Sequence, residues 1–120
     1  MKGRLFHAAE RDEHYFREGC YILEHLNDPA DPDASIARAR VPRGGSTRRH
    51  HLLGTAERYL VLAGSGVAEI GGDPALPVGP GDAVLIPPGV AQRITNTGEE
   101  DLVVLAICTP RFRPENYREG

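Results

Sequence analysis

The sequence predicts an all-β domain, either a sandwich or a barrel, on three observations. Short runs of β-branched and aliphatic residues recur at regular spacing from Cys20 to Cys108. Turn-forming residues close each run, and the 14 glycines and 10 prolines are scattered along the chain rather than clustered. No window beyond the N-terminal segment holds a helical period.

Residues 1–19 are polar and charged, with Phe6, Tyr15 and Phe16 as large anchors and a weak signal for one short helix. Eight strands are expected after them. Cys20–Leu26 comes first, and Asp28-Pro29 and Asp31-Pro32 bend the chain after it. Ser35–Val41 follows, with Arg38 and Arg40 alternating against Ala37 and Ala39, which reads as a solvated face over a small-residue interior. Pro42 and Gly44-Gly45 break the chain before Thr47–Leu52. Glu57–Ala63 and Val67–Ile70 flank Gly64-Ser65-Gly66, a tight hairpin. Gly79-Pro80-Gly81-Asp82 opens Ala83–Ile86, and Pro87-Pro88-Gly89 ends it, since neither proline can donate to a ladder. Ala91–Asn96 and Leu102–Cys108 complete the set, joined through Glu99-Glu100-Asp101, an exposed acidic tip. The tail carries Phe112 and Tyr117 and is expected to pack on the domain or on a partner subunit. The organisation is thus an arm (1–19), a barrel domain (20–110) and a tail (111–120).

Composition bounds the function. A chain of 120 residues is one domain. Its net charge of −3 offers no basic surface for nucleic acid. No apolar run approaches the ~20 residues that span a bilayer, and Met1–Glu10 lacks the apolar core of a signal peptide, so the expected compartment is the cytoplasm. Cys20 and Cys108 are too few for a disulfide framework and are expected to pack as small hydrophobes.

Two stretches carry the chemistry. In the first, Gly44, His50, Leu52, Glu57 and Gly64 follow at fixed spacing; in the second, Gly81, Pro87, Gly89, Gln92 and Asn96 do so. On a strand His50 and Leu52 share a face, and a buried imidazole there needs a partner. Glu57 heads the next strand and Gln92 lies in a later one. An imidazole, a carboxylate and an amide converging inside a small barrel make either a metal site or a polar ligand pocket. Arg48 and Tyr59, by parity with His50 and Glu57, are candidate pocket residues beside Leu52. Arg48 would clamp an acidic ligand. His51 would enter only through a bulge. Either Glu24 or His25 could face the cavity, while His7 and His14 read as exposed. Asn96 is expected to satisfy backbone groups at a strand end.

The two stretches resemble the two motifs of the cupin superfamily in its small single-domain form, through Gly44, His50, Glu57, Gly64, Gly81, Pro87, Gly89 and Asn96. The resemblance implies a jelly-roll β-barrel of the double-stranded β-helix kind, with its site inside one mouth. It also implies a divalent transition metal (Fe, Mn, Ni, Zn or Cu) held by His50, Glu57 and Gln92. The sequence departs from the family pattern where Leu52 and Gln92 replace two histidines, which weakens the donor set. Three functions follow as expectations. The first is a small-molecule-binding barrel with a weak metal site. The others are a metal-dependent oxygenase, isomerase or lyase for a small acid or sugar, and a metal-free binding or sensing module. A homodimer is expected, joined through an edge strand and the terminal arms.

Overall fold

The computed structural model describes residues 2–120. Eleven strands run in the order β1 (His14–Phe16), β2 (Cys20–Leu26), β3 (Ser35–Val41), β4 (His50–Leu52), β5 (Ala56–Ala63), β6 (Gly66–Ile70), β7 (Leu76–Val78), β8 (Ala83–Ile86), β9 (Gln92–Asn96), β10 (Leu102–Thr109) and β11 (Tyr117–Glu119). They form two antiparallel sheets, β1-β2-β3-β10-β5-β8 and β11-β4-β9-β6-β7. Chain neighbours alternate between the sheets from β3 to β6 and from β7 to β11, with β6 and β7 paired as a hairpin in one sheet. Among the described residues no helix is long and apolar enough to cross a membrane.

Alternation along each central strand builds the core. On β10, Leu102, Val104, Ala106 and Cys108 are buried while the residues between them are half-buried. On β5, Glu57, Tyr59 and Val61 point inward by the same rule. Most of the apolar core is one cluster that includes Val41, Val61, Ile86, Ile94, Leu102 and Val104. The β5–β6 hairpin needs Gly64: its φ is +84°, and a Cβ there would lie 2.4 Å from the Asp101 carbonyl oxygen. Asn96 ties strand ends together, its amide donating to the carbonyls of Val41 and Glu100.

Four features differ from the sequence expectation. The strand expected from Thr47 begins only at His50. Thr47 is spent on Ile94, exchanging backbone and hydroxyl bonds with it, while the Arg48 N–H donates to the Glu18 carbonyl. Three short strands, β1, β7 and β11, were not anticipated. The N-terminal segment forms one 3₁₀ turn, Glu10–Asp12, rather than a helix. The fourth concerns Arg38 and Arg40, which are not a solvated face. The arm lies over them, with Glu10 and Glu13 at 2.7–2.8 Å from Arg38, Glu13 at 2.7 Å from Arg40, and Asp101 at 3.3 Å from Arg40. Both flanking segments are therefore paired into the barrel: β1 lies on β2, and β11 lies on β4 with Tyr117 opposite Leu52.

Candidate functional site

One end of the barrel is polar. His50, on β4, and Gln92, on β9, are direct neighbours in one sheet. Glu57 and Tyr59, on β5, point at them from the other. All four are buried. The Tyr59 hydroxyl crosses between the sheets and donates to Gln92 Oε1 at 2.5 Å. That leaves the Gln92 amide nitrogen inside the barrel with no acceptor. His50 Nδ1 lies 2.6 Å from the Arg48 carbonyl oxygen. A carbonyl can only accept, so Nδ1 carries the proton and Nε2 is the nitrogen left for other work.

Nε2 does not face open space. Glu18 Oε2 lies 3.2 Å from it, within ion-pair distance though off hydrogen-bond alignment. Tyr117 stacks on the imidazole, with ring centroids 5.0 Å apart. Glu18 sits in the β1–β2 turn, outside both sequence motifs, and two features of that turn put it there. Gly19 adopts φ +101°, where a Cβ would crowd the Ser46 carbonyl oxygen at 3.1 Å. The Glu18 carbonyl in turn accepts the Arg48 N–H at 2.6 Å. The other carboxylate oxygen of Glu18 accepts from the Cys20 thiol at 3.1 Å.

Glu57 is the most perturbed carboxyl. Burial pushes it up to about 8, and the nearby Glu18 charge adds to this; Gln92, Cys108 and Tyr59 pull it part of the way back. Its Oε1 has no hydrogen-bond donor. Burial also pushes the Cys20 and Cys108 thiols well above their usual range, and both are free. They are packing residues with no ready thiolate.

Next to this cluster lies a cavity of about 120 Å³. Its lining includes Glu18, Glu24, Leu52 and Glu57, the small or apolar side chains of Ile22, Ala37 and Ala106, and Phe16, Phe112 and Pro114 from the flanking segments. Glu24 lines it and His25 does not. His14 lines it while remaining exposed. His51 turns outward, its Nδ1 3.0 Å from the Gly120 carbonyl. Arg48 does not line the cavity. Its side chain is exposed and lies 3.7 Å from Glu119, because the chain is not yet a strand at Arg48 and the parity with His50 does not apply.

The residues do not fit the metal that the resemblance implied. Leu52 is buried and offers no donor. The oxygen of Gln92 is taken by Tyr59, which leaves N–H groups that repel a cation. His50 Nε2 lies 3.2 Å from Glu18 Oε2, a carboxylate oxygen of this same chain. Among the described residues, no three His, Cys, Asp or Glu side chains converge closely enough to hold an ion. Glu18 and Tyr117 were not foreseen as site residues. For Glu18 the only signal was Gly19, one turn glycine among many.

Comparison with known proteins agrees with the barrel. An uncharacterized protein of Methanocaldococcus jannaschii, MJ1618, is 30% identical over 102 residues, covering 83% of this chain and 81% of the relative. The oxalate-binding protein of Thermotoga maritima is 37% identical over 72 residues, 60% of this chain and 59% of that one. The solved structure of a Streptomyces PAC13 variant with uridine superposes with a TM-score of 0.78 at 17% identity, covering 98% of this chain and 92% of that one. The family of the cupin domain matches residues 37–108. With both motifs on facing strands around one mouth of a two-sheet barrel, this chain belongs to the cupin domain family.

Proposed function

We propose that this chain is a metal-independent cupin barrel that binds a small polar organic molecule in the cavity beside Glu57. The observation that carries this reading is the placement of Glu18 on His50 Nε2. In a metal centre that nitrogen would be a ligand, and here the chain itself covers it. His50, Gln92 and Tyr59 form a supporting layer behind the cavity, and Leu52 belongs to the apolar part of its wall. Among the described residues of the cavity wall, Glu57 carries the wholly buried side-chain polar atom that lacks a partner. A ligand that bonds Glu57 would remove the cost of that unpaired group.

The test is metal content, measured on purified protein before and after incubation with Fe²⁺, Mn²⁺, Ni²⁺, Zn²⁺ or Cu²⁺. Well under one ion per chain is expected, with no rise in melting temperature. About one ion per chain, lost in His50→Ala, would overturn the reading. It would favour the metal-dependent oxygenase, isomerase or lyase instead.

Self-association belongs to the same reading, by a different route from the arms, which fold back on their own barrel. The outward residues of β5 and β8 include Leu62 and Leu85, 48% and 61% exposed. Val103, Leu105 and Ile107 continue that face on β10. An antiparallel sheet normally keeps one face polar, and a second copy of this chain is the proposed cover. Light scattering should report a dimer, and Leu62→Glu with Leu85→Glu should report a monomer. A monomeric wild type would remove this part.

A further inference from the structure

We propose that the cavity selects a small organic cation, an ammonium group on a short apolar skeleton. This rests on the reading of the cavity as a ligand site and adds the ligand's charge. The proposal stands on which side chains face inward and on what their atoms already hold.

Among the described residues three carboxyl side chains line the cavity, Glu18, Glu24 and Glu57, and no lysine or arginine does. The nearest cations are tied down at the rim. Arg17 donates to the Pro114 carbonyl at 2.9 Å and lies over the Tyr117 ring at 4.4 Å. Arg111 donates to Asn27 Oδ1 at 2.9 Å. The lining donors are spent as well: Asn27 Nδ2 donates to the Phe112 carbonyl at 2.9 Å and leans on Glu24 Oε1 at 3.4 Å. Ser35 Oγ accepts the Phe112 N–H, and its own O–H is directed to Cys108. What remains turned inward is an acceptor, Glu57 Oε1, on a side chain more than nine-tenths buried and without a donor.

Glu57 keeps its proton up to about 8 in the empty cavity, so at mildly alkaline pH a ligand that brings an N–H donor and a positive charge would hold it ionised. An anionic ligand would meet like charge from the lining carboxylates. This disfavours oxalate or any small acid here, although the Thermotoga relative is named for binding oxalate. A neutral alcohol could bond Glu57 but would leave the other carboxylates uncompensated. A bare metal ion is a poor match, because the acidic groups do not converge as a coordination shell. The remaining wall is apolar and aromatic, with Phe16, Ile22, Leu52 and Phe112. Such a wall suits an alkyl stem and offers ring faces to a cation. A space of about 120 Å³ is on the order of a benzene-sized guest.

The experiment compares three ligands of one shape against the full-length chain: isobutylamine, isobutanol and isobutyrate. Binding is read by calorimetry and melting temperature in chelator-treated buffer at mildly alkaline pH, where an alkylamine remains protonated. The amine should bind at least about tenfold more tightly than the alcohol, a difference measurable by either method, and isobutyrate should not bind. Added salt should weaken the amine alone. Glu24→Gln, at an exposed position, should lower amine affinity severalfold without unfolding the chain; Glu57→Gln should lower it further. If isobutanol or isobutyrate binds as tightly as the amine, the charge assignment is overturned while the cavity reading stands. If none of the three binds at millimolar concentration, both fall.

Discussion

The two ends of the barrel are built by the same alternation and end up chemically opposite. Away from the mouth the inward positions carry Val41, Val61, Ile94, Leu102 and Val104, part of one apolar cluster that reaches as far as Tyr59. At the mouth the same inward positions carry Glu57, Tyr59, His50 and Gln92. The apolar cluster there is small: Leu52, Cys108 and Tyr117, packed by Phe16 and Phe112 from arm and tail. Buried polar atoms without partners gather at this end, on His50, Glu57, Gln92 and Tyr117. The larger apolar cluster contributes stability through area removed from water, whereas the mouth gives up stability to hold groups that a ligand can satisfy.

Large-to-small substitution should separate the two ends most strongly. Leu102→Ala, at a fully buried position in the larger apolar cluster, should cost about 3–5 kcal/mol in denaturant unfolding. Leu52→Ala, beside an existing cavity, should cost less, about 2–3 kcal/mol, and should enlarge the ligand space. Equal costs would mean that the mouth is packed as tightly as the core.

Between about 4.5 and 8 the pH dependence of stability should follow Glu57 at the mouth. Glu57 holds its proton up to about 8 in the folded state, against an ordinary value of 4.5. Between those values the native state binds a proton that the unfolded chain has released. Stability should therefore fall as pH rises through that window, on the order of 1 kcal/mol per pH unit from this group, and level off above it. Glu57→Gln should flatten the curve, and an unchanged slope in that variant would place the titrating group elsewhere.

Two hydroxyls at the mouth offer the finest contrast. Tyr59→Phe removes the donor to Gln92 and strands the amide oxygen, which should cost about 1–2 kcal/mol. Tyr117→Phe removes a buried hydroxyl that has no partner, so it should be neutral or slightly stabilising, by less than about 1 kcal/mol. Melting curves of the two variants side by side check this, and the reverse order would mean that the Tyr117 hydroxyl holds a partner in solution.

The strands of the barrel were legible because alternation and turn residues act locally. Cys20–Leu26, Ser35–Val41 and Ala83–Ile86 stand where the sequence puts them. The three strands missed, β1, β7 and β11, are each three residues long, too short for a period to show, and exist because a neighbour supplies the ladder. Motif spacing brought His50, Glu57, Tyr59 and Gln92 to one place because each sits on a strand at inward parity. It could not reveal Glu18, which arrives through a turn and is held by a backbone bond to Arg48, a contact 30 positions away in the chain. Nor could it place Arg48, whose parity assumed a strand that Thr47 interrupts.

The most direct measurement is a crystal structure of the chain grown with Mn²⁺ or Ni²⁺, with anomalous scattering recorded at the metal edge. Glu18 should be found against His50 Nε2, with no anomalous peak between β4, β5 and β9. A metal peak bonded to His50 and Glu57, with Glu18 swung away from the imidazole, would contradict a metal-independent mouth.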